Sequence, residues 1–598
     1  MPRTRGPLQS GFMKRFLLLV VFAIVILFLV LFALRRNAAT AASAAPSILP
    51  SDTVLFLHVP DPAKNRENWH KTELYALYRE PAVQKFLRKP AAKISKNNQV
   101  SQAWSDLGTL RLRDVFVATN TFDSLRLVAG FEFQCDKKQA ESIIEGWKSN
   151  LTAKAPRTQR SAVDYEKHSI DVIKGDTAIA STFVGNRFFA ASNVDDLKAL
   201  LDRIDHRTKT PALESDENFR AAMKEMPTDY AWLFYVQPRQ FAQKLAALRS
   251  QDGRRVPPDQ QTMLERIQSF SHAMIFEGAK IRDVEFVAMP KLFDAQLTRE
   301  TLAMTSAETF LYIASLLNLE QQIDWIQQGT GGTPATPFLR QINSALATAG
   351  VTPDDWKAAF SNEISLTINW AANSRVPSGV ATLALRDSAR ANKMVNAVTA
   401  AWGWHSTSRN NAQYYTAPTE GNLLAINPTL AMNDRFLVLG LDSAGVDRAI
   451  APPTGVQPLT ATDKFKSASN LVPAPHQMFI YLDLANLYAR LDTTVRPILQ
   501  MSAAFIPALT KEVDIANLPE AETVTRHLSP VIASQSYVGG GYRSESVGTI
   551  TVTQTAALAA MGWVGTVTFK SHSGTASPNL PQSSATPSPP TNNPLPTP

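Results

Sequence analysis

ILPSDTVLFLH, residues 48 to 58, is the stretch on which the fold turns. Its second half is apolar and Pro50 and Pro60 bound it, the pattern of a short buried strand. Trp69 comes eleven residues after His58. Far along the chain, MTSAETFLYIA occupies residues 304 to 314 and Trp325 follows. Asp52 stands 17 residues before Trp69, and Glu308 stands 17 before Trp325. Equal spacing from two similar strands predicts one structural unit written twice.

Working outward, the elements recur in one order. RDVFVATN (113–120) and SLRLVAGFEF (124–133) read as a hairpin, followed by the helical DKKQAESIIEGW (136–147). Gly185-Asn186 marks another hairpin, and NVDDLKALLDRI (193–204) is a helix with Asn193 as its N-cap. After residue 300, EISLTIN (363–369) and SGVATLAL (378–385) pair, and a helix runs from Asp387 to Trp402. Arg435 and Phe436 match Arg187 and Phe188, while Phe219 and Tyr235 match Phe465 and Tyr481 at an unchanged separation of 16. The expected fold is α+β. It comprises a single N-terminal transmembrane helix and two similar lobes from an internal duplication, with helices packed on antiparallel sheets. Two such lobes are expected to face each other across a groove.

The ends of the chain are read from composition. FLLLVVFAIVILFLVLFAL, residues 16 to 34, is 19 apolar residues without a charge. As a helix it spans about 28 Å, close to the hydrocarbon thickness of a bilayer. Four basic side chains precede it and Arg35 and Arg36 follow, a bias that favours a cytoplasmic N-terminus. A cleaved signal peptide is the rival, served by the small residues Ala42-Ser43-Ala44. The apolar run is too long for that, and two arginines stand before any cleavage site. No cysteine lies near residue 40 to carry a lipid. The expected order is a basic cytoplasmic segment (1–15), a signal-anchor helix (16–34), a linker (35–47), a first lobe (48–292), a second lobe (300–560) and a tail (571–598). The tail holds eight prolines and no Asp, Glu, Lys or Arg, and is expected to be disordered.

Of the net charge of +8, residues 1 to 36 contribute +6, so the basic balance belongs to a terminal arm and argues against nucleic acid. Cys135 is the only cysteine, which excludes an intrachain disulfide and a cysteine metal cluster. It is expected to be a packing residue.

The opening pattern, Leu49, Pro50, Asp52 and Thr53 with the region Leu77 to Pro81, resembles a family of uncharacterised, membrane-anchored, exported bacterial proteins. Their ectodomains begin with a Leu-Pro-x-Asp-Thr strand. The resemblance implies an exported α+β ectodomain on one anchor and brings no catalytic residues.

A search for chemistry finds no Gly-x-Ser-x-Gly, Ser-x-x-Lys, His-Glu-x-x-His, calcium loop or Walker motif. No catalytic, cofactor-binding or metal residues are assigned, and no cofactor is expected. His58 and His70 are a remote metal pair, with a core and a surface histidine as the plainer reading. GTGGTP (329–334) reads as a flexible connection. Gly539 to Gly541, inside a strand pattern, signal a bulge or a close backbone approach, with a ligand as the rarer cause. Trp69, Trp147, Trp325 and Trp402 are expected as helix-to-sheet anchors, and Trp370, Trp404 and Trp563 as candidates for a partner-binding surface. The functional expectation is a single-pass protein of the cell (inner) membrane, its body extracytoplasmic, binding or scaffolding an envelope protein or cell-wall partner. Its contact with the lipid bilayer is through residues 16–34. The alternative is an extracytoplasmic hydrolase with a site unlike these motifs.

Overall fold

The computed structural model describes residues 44–95, 98–121, 126–153, 158–175, 178–240, 266–317, 341, 344–372, 374–418, 427–474, 476–505 and 514–556. The apolar run 16–34, GTGGTP, Trp325, Trp563 and the tail lie outside them. Among the described residues no helix is long and apolar enough to cross a membrane. The chain divides into a compact unit spanning 1–552 and a second spanning 553–598. The architecture below is that of the first.

It is a mixed helix and antiparallel-sheet fold with twenty strands among the described residues. The first ten are β1 (Leu55–Val59), β2 (Arg113–Thr121), β3 (Arg126–Glu132), β4 (Gln159–Tyr165), β5 (His168–Lys174), β6 (Ala178–Val184), β7 (Arg187–Ala191), β8 (Trp232–Val236), β9 (Ser269–Glu277) and β10 (Lys280–Ala288). They pair in the order β4-β5-β6-β7-β3-β2-β1-β8-β9-β10. The second ten are β11 (Thr309–Leu316), β12 (Phe360–Asn369), β13 (Ser378–Leu385), β14 (His405–Arg409), β15 (Ala412–Thr416), β16 (Thr429–Met432), β17 (Phe436–Gly440), β18 (Met478–Leu482), β19 (Val531–Val538) and β20 (Gly541–Gly548). Their order is β14-β15-β16-β17-β13-β12-β11-β18-β19-β20, the first order repeated strand for strand.

The repetition extends to single side chains. In β1 and β8, Phe56 stands opposite Tyr235; in β11 and β18, Tyr312 stands opposite Tyr481. All four are fully buried. Phe219 meets Tyr235 edge-on at 5.0 Å, and Phe465 meets Tyr481 edge-on at 5.2 Å. Each phenylalanine lies in a short helix, Glu217–Glu225 or Asp463–Ser469, whose cap is the side chain of Asp216 or Thr462. Each helix follows a 3₁₀ turn, Leu213–Ser215 or Leu459–Ala461. One face of the sheet is thus sealed twice by the same device.

One sequence match fails. Walking outward from Phe56, the ladder runs through Ala118 and Val128 to Ala191. From Tyr312 it runs through Thr367 and Val380 to Gly440. Ala191 therefore corresponds to Gly440, and Phe188 to Leu437 rather than Phe436. A one-residue slip in a strand exchanges its faces, so the Arg-Phe resemblance was a coincidence of composition.

The halves do not face each other across a groove. They are joined edge to edge by β10 and β20, from Ile281↔Gly548 to Ala288↔Gly541. Gly278 and Gly539, both at positive φ, open the turns that precede these strands. Counting six residues on from each gives Val284 and Glu545, which are direct partners in the ladder. A residue that pairs with its own counterpart marks a local two-fold axis. The joint also removes two free sheet edges at once.

Candidate functional site

The joint gathers charge. On its core face, Glu545 receives Arg282 from the first half (Nη1 to Oε2, 2.6 Å) and Arg543 from its own strand (Nη2 to Oε1, 2.8 Å). Arg282 and Arg543 are counterparts, each four residues after its turn glycine. Two equivalent cations therefore share one carboxylate beside the axis, where the first half has Val284. Arg282 also reaches Glu277 and the carbonyl of Leu471.

On the opposite face of β9 and β10, His272 donates or accepts at Nδ1 with Glu285 (3.1 Å), and its Nε2 is 3.7 Å from Asp283. Trp232 stacks on the imidazole at 4.7 Å, and the Thr551 hydroxyl donates to Asp283. His272 and Asp283 are buried.

A third array lies in the first half. His58, fully buried, contacts the Tyr230 hydroxyl through Nδ1 (2.8 Å) and Asp114 through Nε2 (3.0 Å). Asp114 has a φ of 47°, a left-handed conformation that is costly outside glycine. It falls where the β2–β3 register shifts between Arg113 and Phe116. A carboxylate, an imidazole and a hydroxyl in line resemble a proton relay. Burial, with the Asp114 charge beside it, pushes the Tyr230 phenol well above its ordinary range. The phenol thus keeps its proton, and the array holds three polar groups inside the core.

His70 packs against Tyr75 at 4.4 Å, while His58 is committed to Tyr230 and Asp114. Among the described residues no group of three His, Cys, Asp or Glu is placed to hold a metal. Cys135 packs on the buried cluster of Leu107, Leu110, Leu112, Phe133 and Ala140, and burial raises its thiol. Trp69 lies against Phe276 at 6.3 Å, and the Trp147 indole donates to Asp106 at 2.7 Å. Trp370 is buried against Phe310 and donates to the Ser374 carbonyl; Trp404 packs beside Trp402 over the β17 side of the sheet. Trp370 is buried and Trp404 half-buried, each closing a helix or loop onto the sheet. Gly539 and Gly540 form the β19–β20 turn, and a Cβ on Gly541 would lie 2.4 Å from the Val287 carbonyl. The close approach is made by the neighbouring strand, not by a ligand.

The described residues also line clefts. One of about 280 Å³ lies between Ile48, Arg126, Asp196 and Arg203. A wider one of about 750 Å³ is lined by Glu308, Trp370, Lys464, Asp483, Asn486 and Arg490. In it Asp483 caps the helix Leu484–Phe505 through the Asn486 amide and holds Lys464 at 2.9 Å. Its charges balance internally.

The feature that no sequence motif announced is an uncovered apolar row. Ile480, Ile313, Leu366, Ala381 and Leu439 stand side by side across β18, β11, β12, β13 and β17. The row lies on the face away from Tyr312 and Tyr481 and is about 19 Å long at the usual strand spacing. Leu366 is 40% exposed, Leu439 46%, and Leu441 beyond them 64%. The first-half counterparts are Phe234, Leu57, Val117, Ala129 and Ala190, where Val117 is only 8% exposed. Strand alternation in EISLTIN was the available signal, but alternation cannot say which faces stay open.

A family described as a protein of unknown function (DUF3352) matches residues 134–525. That range begins after Leu49-Pro50 and β1. No curated protein matches. Among solved structures, crystal form III of TP0453 is 8% identical, covering 43% of this chain and 83% of that one with a TM-score of 0.23. Crystal form I of TP0453 is 9% identical, covering 44% and 83% with a TM-score of 0.22.

Proposed function

Since this chain belongs to the DUF3352 family, whose function is unknown, we propose that it is a tethered, extracytoplasmic binding or scaffolding protein built by internal duplication. Residues 16–34 hold it in the cell membrane as a single span, with the N-terminus cytoplasmic. The body engages an envelope component through the open row of the second half. The observation that carries this reading is the exposure of Leu366 and Leu439 in a continuous apolar row of a large sheet. Such surface is costly in water unless a partner covers it. The repeated strand order supports the duplication, and the exposure of Leu366 where its first-half counterpart Val117 is buried supports a role gained by the second.

The test is crosslinking in the native membrane with Leu366→Lys and Leu439→Lys variants. Both side chains are on the open face, so melting temperatures should stay close to the parent while the crosslinked partner is lost. An unchanged crosslinking pattern in the doubly substituted protein would sink the binding reading. Protease access in intact cells tests the tether: an N-terminal tag should be protected and the body accessible.

A further inference from the structure

A second tie joins the halves, away from the strand joint. Helix Glu73–Arg79 belongs to the first half; Thr72 caps it, and the Glu73 amide is bonded to Ala279 in the β9–β10 turn. Glu73 is its first residue and Glu80 lies just past its last. Seven residues apart, they share one helix face. His527 of the second half stands between them. Its Nδ1 is 2.8 Å from Glu73 Oε2, and its Nε2 is 2.7 Å from Glu80 Oε1. A neutral imidazole has one N–H and can donate to only one carboxylate. Both bonds form together only when the ring is an imidazolium.

The surroundings fit that state. Arg526 Nη2 is 2.5 Å from the same Glu80 oxygen, so Glu80 faces two cations, and Glu522 lies near Arg526. Arg526 Nε also lies 3.4 Å from His527 Nε2, a longer contact than the 2.7 Å one between that nitrogen and Glu80. The His527 side chain is 14% exposed. Its carbonyl accepts from Thr549, which fixes it to the end of β20. Leu74, on the clamped helix, packs on the cluster of Ala231, Met274 and Ile281, beside Trp232.

We propose that His527 is a pH-dependent latch between the two halves: as an imidazolium it fastens both ends of helix Glu73–Arg79, and on losing a proton it releases one of them. Burial lowers the affinity of His527 for its proton, but the bonds to Glu73 and Glu80 outweigh it and raise it above the ordinary histidine range. The contribution is full below about 6.5 and is lost as pH rises through the raised value. Glu80 sets the acid limit. Its bonds to Arg526 and His527 lower it from 4.5, so its contribution is present above that value and is lost as pH falls through the lowered one.

The test is hydrogen exchange of the full chain in detergent between pH 5.5 and 8.5, corrected for intrinsic rates. In peptides covering residues 73–95 and 515–527, the opening constant should rise with pH by up to tenfold per unit above about 6.5. His527→Gln should give a flat, open profile, and His527→Lys should stay closed to pH 8.5 because lysine keeps its proton. Should His527→Gln fold poorly, the double variant Glu73→Gln/Glu80→Gln should move the transition to lower pH. A flat parent profile, a pH-dependent profile that survives in His527→Gln, or a transition that stays at the parental pH in the double glutamine variant overturns the latch.

Discussion

At Gly130 an added Cβ would lie 2.6 Å from the Phe189 ring and 2.7 Å from that of Phe116. The same ladder places Thr382, Val438 and Ser365 at the corresponding positions of the second half. Two rings and no side chain in one half are answered by three small or branched side chains in the other. Gly130→Ala should therefore cost about 1–3 kcal/mol, read by denaturant unfolding, whereas Thr382→Ser should cost far less. Glu545 is a second decisive residue. Glu545→Gln removes the carboxylate that Arg282 and Arg543 share and leaves Arg282 with Glu277 alone, for a loss on the order of 3 kcal/mol. If that variant unfolds at the parental denaturant midpoint, the triad is not holding the joint. His476 carries a pH dependence of opposite sign to His527. Burial, helped by Arg299, holds it down at about 4. Its contribution is full above about 6.5 and falls as pH drops toward 4, so melting temperature should decline across that interval and His476→Phe should flatten the decline.

At the scale of elements, local signals worked where a side chain and a backbone group form a closed device. Asn193 caps helix Val194–Ile204 by accepting from the Asp195 amide, as the sequence predicts. Asp216 and Thr462 do the same for the paired short helices, and replacing either by alanine should cost about 1 kcal/mol, measured by thermal unfolding. Hairpins announced by glycine or by paired apolar runs also formed. The edge hairpins β4–β5 and β14–β15 gave no such signal. β14, His-Ser-Thr-Ser-Arg, is exposed along its whole length, and β4 is mostly exposed. With little to bury (only Val163 and Tyr165 of β4 reach the core), such an edge strand loses the alternation that makes strands legible.

For the whole molecule, the two-fold register at Val284 and Glu545 has a consequence. A chain of residues 44–292 alone would present β10 as a bare edge whose natural partner is another copy of itself. Such a fragment should elute as a dimer through β10, and a charged or proline substitution at Val284 should return it to a monomer. A monomeric parent fragment would show that the joint is specific to β20. Removing residues 571–598 tests the other extreme. Their composition offers no apolar surface to bury, so the melting temperature should change by less than a degree or two.

Periodicity and spacing alone established the α+β class, the order of the elements and the recurrence of Phe219 and Tyr235 as Phe465 and Tyr481. These are local or repeated patterns, and every copy of a pattern restates the same packing rule. The edge-to-edge joint, the shared carboxylate of Glu545, the imidazole between Glu73 and Glu80 and the open row through Leu366 were decided by tertiary structure. Each depends on residues more than 250 apart or on which face a neighbour covers, and no local pattern fixes the geometry between segments that meet only after the chain has folded.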